Sequence, residues 1–312
     1  MASSRDSEQG KLLVCAGMAV IDHVYRVDAF PKPGTKTSAT DFRPVLGGCA
    51  ANAAIAIHRL GGQARVVAPL GGPQERDPVG DNILAKLATE DIDVSAVVRV
   101  NGVSSALSSI LIDKSGERLI VSYRHPGLET ARPHDAKRLV SGVDAVLIDN
   151  RFPEFVLPVA RAAAAIGVTV VLDGDKPTRL TDELLRIATH IVFSADGLRA
   201  TAGTEELSTA LTAAAQRTDA FVAVTNGPHD VIWIDEGTLR RMPAFQVDAV
   251  DTLAAGDVFH GAFALALAEG RAAADALRFA AAAAAIKCTR FGGGAGTPTR
   301  AELDQFLARA SR

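Results

Sequence analysis

The sequence has little of what would mark it for an oxidising compartment, a membrane or a nucleic acid. Its 312 residues include only three cysteines, Cys15, Cys49 and Cys288, far apart and with no C-x-x-C pair. That excludes a disulfide framework and a cysteine zinc site, and it fits a reducing cytosol. Positive charge is in no excess: 33 Lys and Arg stand against 36 Asp and Glu, a net charge of −3. No basic field exists to draw a nucleic acid or an acidic lipid surface. No apolar run is long enough for a bilayer, since the most apolar, residues 272–286, is broken by Asp275 and Arg278. The opening M-A-S-S-R-D-S-E-Q-G has no apolar core of a signal peptide and reads as a disordered tail over residues 1–10. The first strand leads into C-A-G-M-A-V-I-D without G-x-G-x-x-G, which argues against a dinucleotide-dependent oxidoreductase. The expectation is a cytoplasmic protein with small-molecule partners.

What is present is an alternation. Hydrophobic residues at 48% and charged residues at 22% are ordinary for a globular chain, and the length suffices for one large core. Short β-rich runs (Leu12–Ala16, Ala64–Ala68, Ala145–Asp149, Val168–Asp173, Ile191–Phe193 and Phe221–Thr225) are separated by alanine-rich segments of helical length. This predicts an α/β fold: a doubly wound, mostly parallel sheet with helices on both faces. Gly61-Gly62 should close a helix beginning near Cys49, and Thr299-x-x-Glu302 should open a last one with a capping box. Two segments, about 20–46 and 97–124, break the rhythm and are predicted to pair as a small antiparallel sheet inserted in the single domain 11–312. Such a sheet needs cover on one face.

The stretch Val247–Gly261, V-D-A-V-D-T-L-A-A-G-D-V-F-H-G, carries the chemistry. Small residues at a helix start let the backbone approach an anion, and the first-turn amides there point outward unpaired. Transfer of a phosphoryl group to an alcohol needs the developing charge stabilised and a proton removed. Amides at Ala255, Gly256 and Asp257 suit the first need, and the Asp257 carboxylate suits the second.

The stretch D-T-L-A-A-G-D resembles the C-terminal signature of the ribokinase (PfkB) family of carbohydrate kinases, and Gly47-Gly48-C-A-A-Asn52 resembles its N-terminal one. The resemblance implies a ribokinase-like fold with a β-lid built from the two odd segments, ATP with Mg2+ as cosubstrate, and a homodimer clasped through the lids. It implies Asp257 as catalytic base and Ala254, Ala255 and Gly256 as an anion hole. Asp22, Gly47, Gly48 and Asn52 would bind sugar, and Ser194, Thr225, Gly227 and Cys288 would border the nucleotide. Asp251 and Thr252, with the segment from Cys288, would form a monovalent-cation loop for K+. Where many members carry N-x-x-E, this chain has Ser194-A-D-Gly197, so Mg2+ would rest on ATP phosphates and water; Asp230 stands where the family often has glycine.

Lys36, Arg124, His125 and Arg151 are the cations placed to meet a substrate, and Arg151 follows a strand's C-terminal end, where open α/β sheets bind ligands. Convergence of two or three would favour an anionic sugar gripped through arginine. The pieces V-V-L-D-G-D-K-P-T and A-A-I-K-C-T-R-F-G-G-G-A-G resemble the branch that contains 6-deoxy-6-sulfofructose kinase and ketohexokinase-like enzymes, although Ser122 stands where that branch would have asparagine. The expectation is an ATP-dependent kinase of a ketose primary hydroxyl, with an anionic ketose such as 6-deoxy-6-sulfofructose first. A neutral sugar or nucleoside (fructose, ribose) and a catalytically silent sugar binder are the alternatives.

Overall fold

The structure, a computed structural model, describes residues 10–73, 76–177 and 182–310. Nearly all of the expected N-terminal tail lies outside the described residues. The main sheet has eight strands, in the spatial order Thr238–Met242, Val231–Asp235, Phe221–Thr225, His190–Ser194, Thr169–Gly174, Ala145–Asp149, Leu12–Ala16 and Gln63–Val67. Six strands run parallel, and the last hairpin adds two antiparallel ones at an edge.

The central strands are apolar on both faces because both faces are covered. Leu13, Cys15, Leu147 and Val171 point to a core shared with the helices Cys49–Arg59, Ala255–Ala268 and Ala273–Cys288. Their neighbours Val14, Ala16, Val146, Ile148 and Leu172 enter the opposite core with Phe155 and Val159 of the helix Pro153–Ala165. The alternation is the period of two inherent in a strand. The alanine-rich composition has a packing consequence: a Cβ on Gly261 would lie 2.5 Å from the Ala53 carbonyl oxygen. Small residues thus bring the Cys49–Arg59 helix against the Ala255–Ala268 helix at backbone distance. Both expected helix signals hold: the Gly61 and Gly62 amides bond back to His58 and Ile57, and Thr299 and Glu302 cap each other at the start of Arg300–Ala310.

A small sheet stands apart, ordered Asp41–Gly47, Val20–Arg26, Leu107–Ile112, Arg118–Tyr123. Its two outer pairings are antiparallel, as expected, but the central one is parallel. The chain between these two strands passes through two helices and four further strands, and a crossover of that length can return a strand in its original direction. Val98–Asn101, expected within the small sheet, instead pairs with Pro69–Gly72. The small sheet leaves Phe42, Leu119, Ile120, Val121 and Tyr123 exposed. No helix of the described residues is long and apolar enough to cross a membrane.

Candidate active site

The helix Ala255–Ala268 begins after Ala254, whose φ of 64° is left-handed, a conformation that normally favours glycine. The loop ahead of it is fixed by Asp251, whose carboxylate accepts the Leu253 amide at 2.8 Å and the Gly292 amide at 3.0 Å. The Ala255 amide, expected to be free, donates to the Thr252 carbonyl at 3.2 Å. The amides of Gly256 and Asp257 meet no acceptor among the described residues, so these two are the free donors at the helix mouth. Gly256 is exposed and Asp257 half-buried, so the helix mouth is reachable from solvent. Asn52, on the facing helix, donates its side-chain amide to the Asp257 carboxylate at 2.7 Å. Sequence reading put Asn52 on the sugar; the structure shows it holding the Asp257 carboxylate.

Asp22 extends from the small sheet, buried, and accepts the Ser108 hydroxyl from the next strand. A Cβ on Gly47 would fall 2.0 Å from the Asp22 carboxylate, and Gly48 has a φ of 94° with the Met18 carbonyl 2.4 Å from where a Cβ would be. Both glycines are therefore required by space or conformation. Burial lifts the Asp22 carboxyl to about 6, partly countered by Ser108 and reinforced by the charge of Asp257. Asp149 and Asp173 sit side by side where two parallel strands end. Burial takes Asp149 to about 6 and Asp173 to about 7. Sequence reading assigned neither, although a carboxylate at the C-terminal end of adjacent parallel strands was the available signal. The Cys49 sulfur lies within 4.8 Å of carboxylate oxygens of Asp173 and Asp257. Burial holds that thiol well above its ordinary value, so it stays protonated and suits no hard cation.

His260 was also missed. Its Nδ1 faces the Gly256 carbonyl at 2.7 Å, and its Nε2 faces the Val192 carbonyl at 3.0 Å and Asp173 at 3.5 Å. Burial opposes its protonation, but Asp173 and the two carbonyls outweigh burial and raise it. An imidazolium donating to both carbonyls braces the first turn of the helix that carries Asp257.

The cations do not converge as free charges. Arg151 pairs with Asp175 and faces Asp149 and Asp173. Arg124 donates to the Arg151 carbonyl at 2.6 Å, pairs with Glu129 at 2.8 Å and lies over the Phe152 ring. His125 accepts the Gly127 amide, and Lys36 is exposed in the loop between Val20–Arg26 and Asp41–Gly47. Around Arg151 the surroundings are acidic.

Ser194, Thr225 and Gly227 line one groove with Asn226 and Arg199, and a hollow continuing past Asn226 includes Asp230. The Ser194 hydroxyl caps the helix Ala195–Ala202 through the Gly197 amide at 3.0 Å and donates to Asp175 at 3.2 Å. Cys288 does not line this groove; its carbonyl takes the Val250 and Asp251 amides at 2.8 and 3.0 Å. Asp251 does not offer a vacant cation loop either. The ammonium of Lys287, wholly buried, donates to the Asp251 carbonyl at 2.7 Å and lies 3.4 Å from its carboxylate.

The pfkB family carbohydrate kinase pattern matches residues 11–300. A ribokinase of Haemophilus influenzae is 32% identical over 308 residues, covering 96% of this chain and 99% of that protein. A solved structure of a proposed ribokinase from Agrobacterium tumefaciens superposes with a TM-score of 0.92 at 40% identity, covering 97% of this chain and 99% of the other. The structure of a fructokinase with bound ATP from Xylella fastidiosa matches at 26% identity and a TM-score of 0.79, covering 96% and 99%.

Proposed function

Because the chain belongs to the pfkB family of carbohydrate kinases, we propose that it transfers the γ-phosphoryl group of ATP to a primary hydroxyl of a neutral sugar, a pentose such as ribose or a ketohexose such as fructose, in the cytoplasm. The observation that carries this reading is the single helix start where two unpaired amides, Gly256 and Asp257, lie beside a carboxylate held by Asn52.

Asp22 accepts sugar hydroxyls from above, and the hydroxyl to be phosphorylated lies against Asp257. Asp257 takes its proton as the oxygen attacks the γ-phosphorus, while the bond to the ADP oxygen breaks. The amides of Gly256 and Asp257 stabilise the transferring group, an effect of about 100-fold or more per donor in preorganised sites. His260 and Asn52 keep the helix mouth and the carboxylate in place before sugar arrives. ATP would lie along the groove of Ser194, Thr225 and Gly227. Asp175, beside that groove, is already taken up by Arg151 and Ser194, so Mg2+ would be held chiefly by ATP phosphates and water, where it would neutralise phosphate charge.

A neutral sugar is favoured because the charges around Arg151 are already balanced. Asp149, Asp173 and Asp175 surround it, and an anionic substrate would have to displace an ion pair. The reading of a sulfonated ketose retains one supporting observation, the direct contact between Arg124 and Arg151. Coupled ADP-release assays with ribose, fructose, fructose 6-phosphate and 6-deoxy-6-sulfofructose separate the two. We expect the highest kcat/KM with a neutral sugar. A preference for 6-deoxy-6-sulfofructose would install the sulfonated-ketose reading instead, a preference for fructose 6-phosphate would install a phosphorylated ketose, and sugar binding without any turnover would leave a silent family member.

The small sheet would close over the sugar as a lid and pair with that of a second copy. Supporting this, the edge strand Arg118–Tyr123 exposes Leu119, Ile120, Val121 and Tyr123 together. Light scattering is expected to show a dimer that Val121→Glu dissociates; a monomeric wild type would contradict it.

A further inference from the structure

Lys287 is a lysine where a lysine is costly. It is the penultimate residue of the helix Ala273–Cys288, and its side chain is wholly buried. Taking an ammonium out of water is costly, so such a group persists only with close compensation. Its compensation comes from one residue: the Asp251 carbonyl at 2.7 Å and the Asp251 carboxylate at 3.4 Å. An apolar side chain of similar volume would fill the space without this penalty. Something other than packing must account for the charge.

The place it occupies is specific. Asp251 joins two loops, because its carboxylate accepts the amides of Leu253 on one side and of Gly292 and Gly293 on the other. A Cβ on Gly296 would lie 3.5 Å from the Lys287 Cε, so the ammonium stem runs against the turn Gly293–Gly296. Three residues beyond Asp251, Ala254 adopts its left-handed conformation and the catalytic helix begins. The positive charge therefore rests against the loop that aims the Gly256 and Asp257 amides. Its ligands are oxygens, a carbonyl and a carboxylate, the donor set that an alkali cation would use.

We infer that Lys287 is a covalently tethered monovalent cation: a positioning residue whose ammonium stands in place of K+ beneath the anion-binding helix start, making the kinase independent of added alkali cations. The potassium site implied by the resemblance thus does not fit this chain, because its oxygen donors are already engaged. The inference rests on the kinase reading above for its catalytic readout, and it has a second readout that does not.

The experiment measures kcat and sugar KM in a tetramethylammonium buffer, with K+ or ethylammonium titrated in. The wild type should show the same kcat with and without K+. Lys287→Ala should lose kcat by about 100-fold, the cost expected of a displaced site, with sugar KM changed little. K+ or ethylammonium should then restore much of that loss, whereas Lys287→Met, which fills the space with apolar atoms, should lose activity and not be rescued. Thermal melting supplies the readout that needs no turnover: K+ should raise the Tm of Lys287→Ala and leave that of the wild type unchanged. A wild type activated severalfold by K+, or a Lys287→Met enzyme with unaltered kcat, would overturn the inference. Should Lys287→Ala fail to fold, the cation response of the wild type still decides the matter. Lack of turnover by the wild type with every sugar would instead defeat the kinase reading, and the melting comparison would still test the cation.

Discussion

The two halves of the proposed site are built differently. On the proposed acceptor side the polar side chains are buried: Asp22, Asn52, Asp149 and Asp173 are all nearly sealed from solvent. Burial has moved three of their carboxyls upward. On the nucleotide side, the groove around Ser194, Thr225 and Gly227 is open and owes its shape to loops and a helix cap. Buried polar groups must each be satisfied, so the acceptor half should discriminate strongly between sugars and tolerate few changes. An open groove bound through backbone should tolerate more.

Four changes break or sharpen that contrast. The largest effect belongs to Asp257→Asn, which removes the proton acceptor and should lower kcat by about 1,000-fold or more while calorimetric sugar binding persists. Activity within tenfold of wild type would remove Asp257 from the chemistry. Next, Asn52→Ala should cost kcat about 100-fold by freeing the Asp257 carboxylate to rotate. A change confined to sugar KM would show that Asn52 only touches sugar.

The third is a pH effect. Asp22 works ionised, and in the free enzyme its carboxyl is lifted to about 6. Protonation below that value removes the acceptor, so kcat/KM for sugar should fall as pH drops below about 6, approaching tenfold per unit. The Asp22→Asn enzyme should be slow yet lack this limb, and an unchanged limb there would assign it to another group such as Asp149. The smallest effect is expected at Ser194→Ala, on the nucleotide side. Loss of the cap should cost about 1 kcal/mol of stability, visible as a small fall in Tm, and should move the KM for ATP by only a few-fold. A large loss of ATP affinity there would erase the contrast between the halves.

Much of the fold was legible beforehand. Leu12–Ala16, Ala145–Asp149 and Phe221–Thr225 are strands at the positions read from their apolar runs. Local patterns sufficed because a parallel strand covered on both faces must be continuously apolar. The small sheet was legible as strands but not as pairings: nothing in Val98–Asn101 says that it joins Pro69–Gly72. In the site, Asp257, Asn52 and the two glycines near position 47 carried recognisable spacing. Asp149, Asp173, His260 and Lys287 did not, for each depends on a partner far off in the chain: Met18 for Asp149, His260 for Asp173, Val192 for His260 and Asp251 for Lys287. The cationic reading of Arg151 failed to anticipate Asp175, 24 residues away, as its partner.

The order of amino acids alone determined the alternating architecture, the helix that starts at Ala255 and the presence of an acid in its first turn. These depend on short-range periodicity and on which residues can adopt a given backbone conformation. Tertiary structure decided the electrostatics: which cations were already paired, which carboxyls lost their water, and that a lysine ammonium lies under the turn ahead of Ala255. Charge interactions act through space, and burial sets their strength, so they exist only once distant segments have been folded against one another.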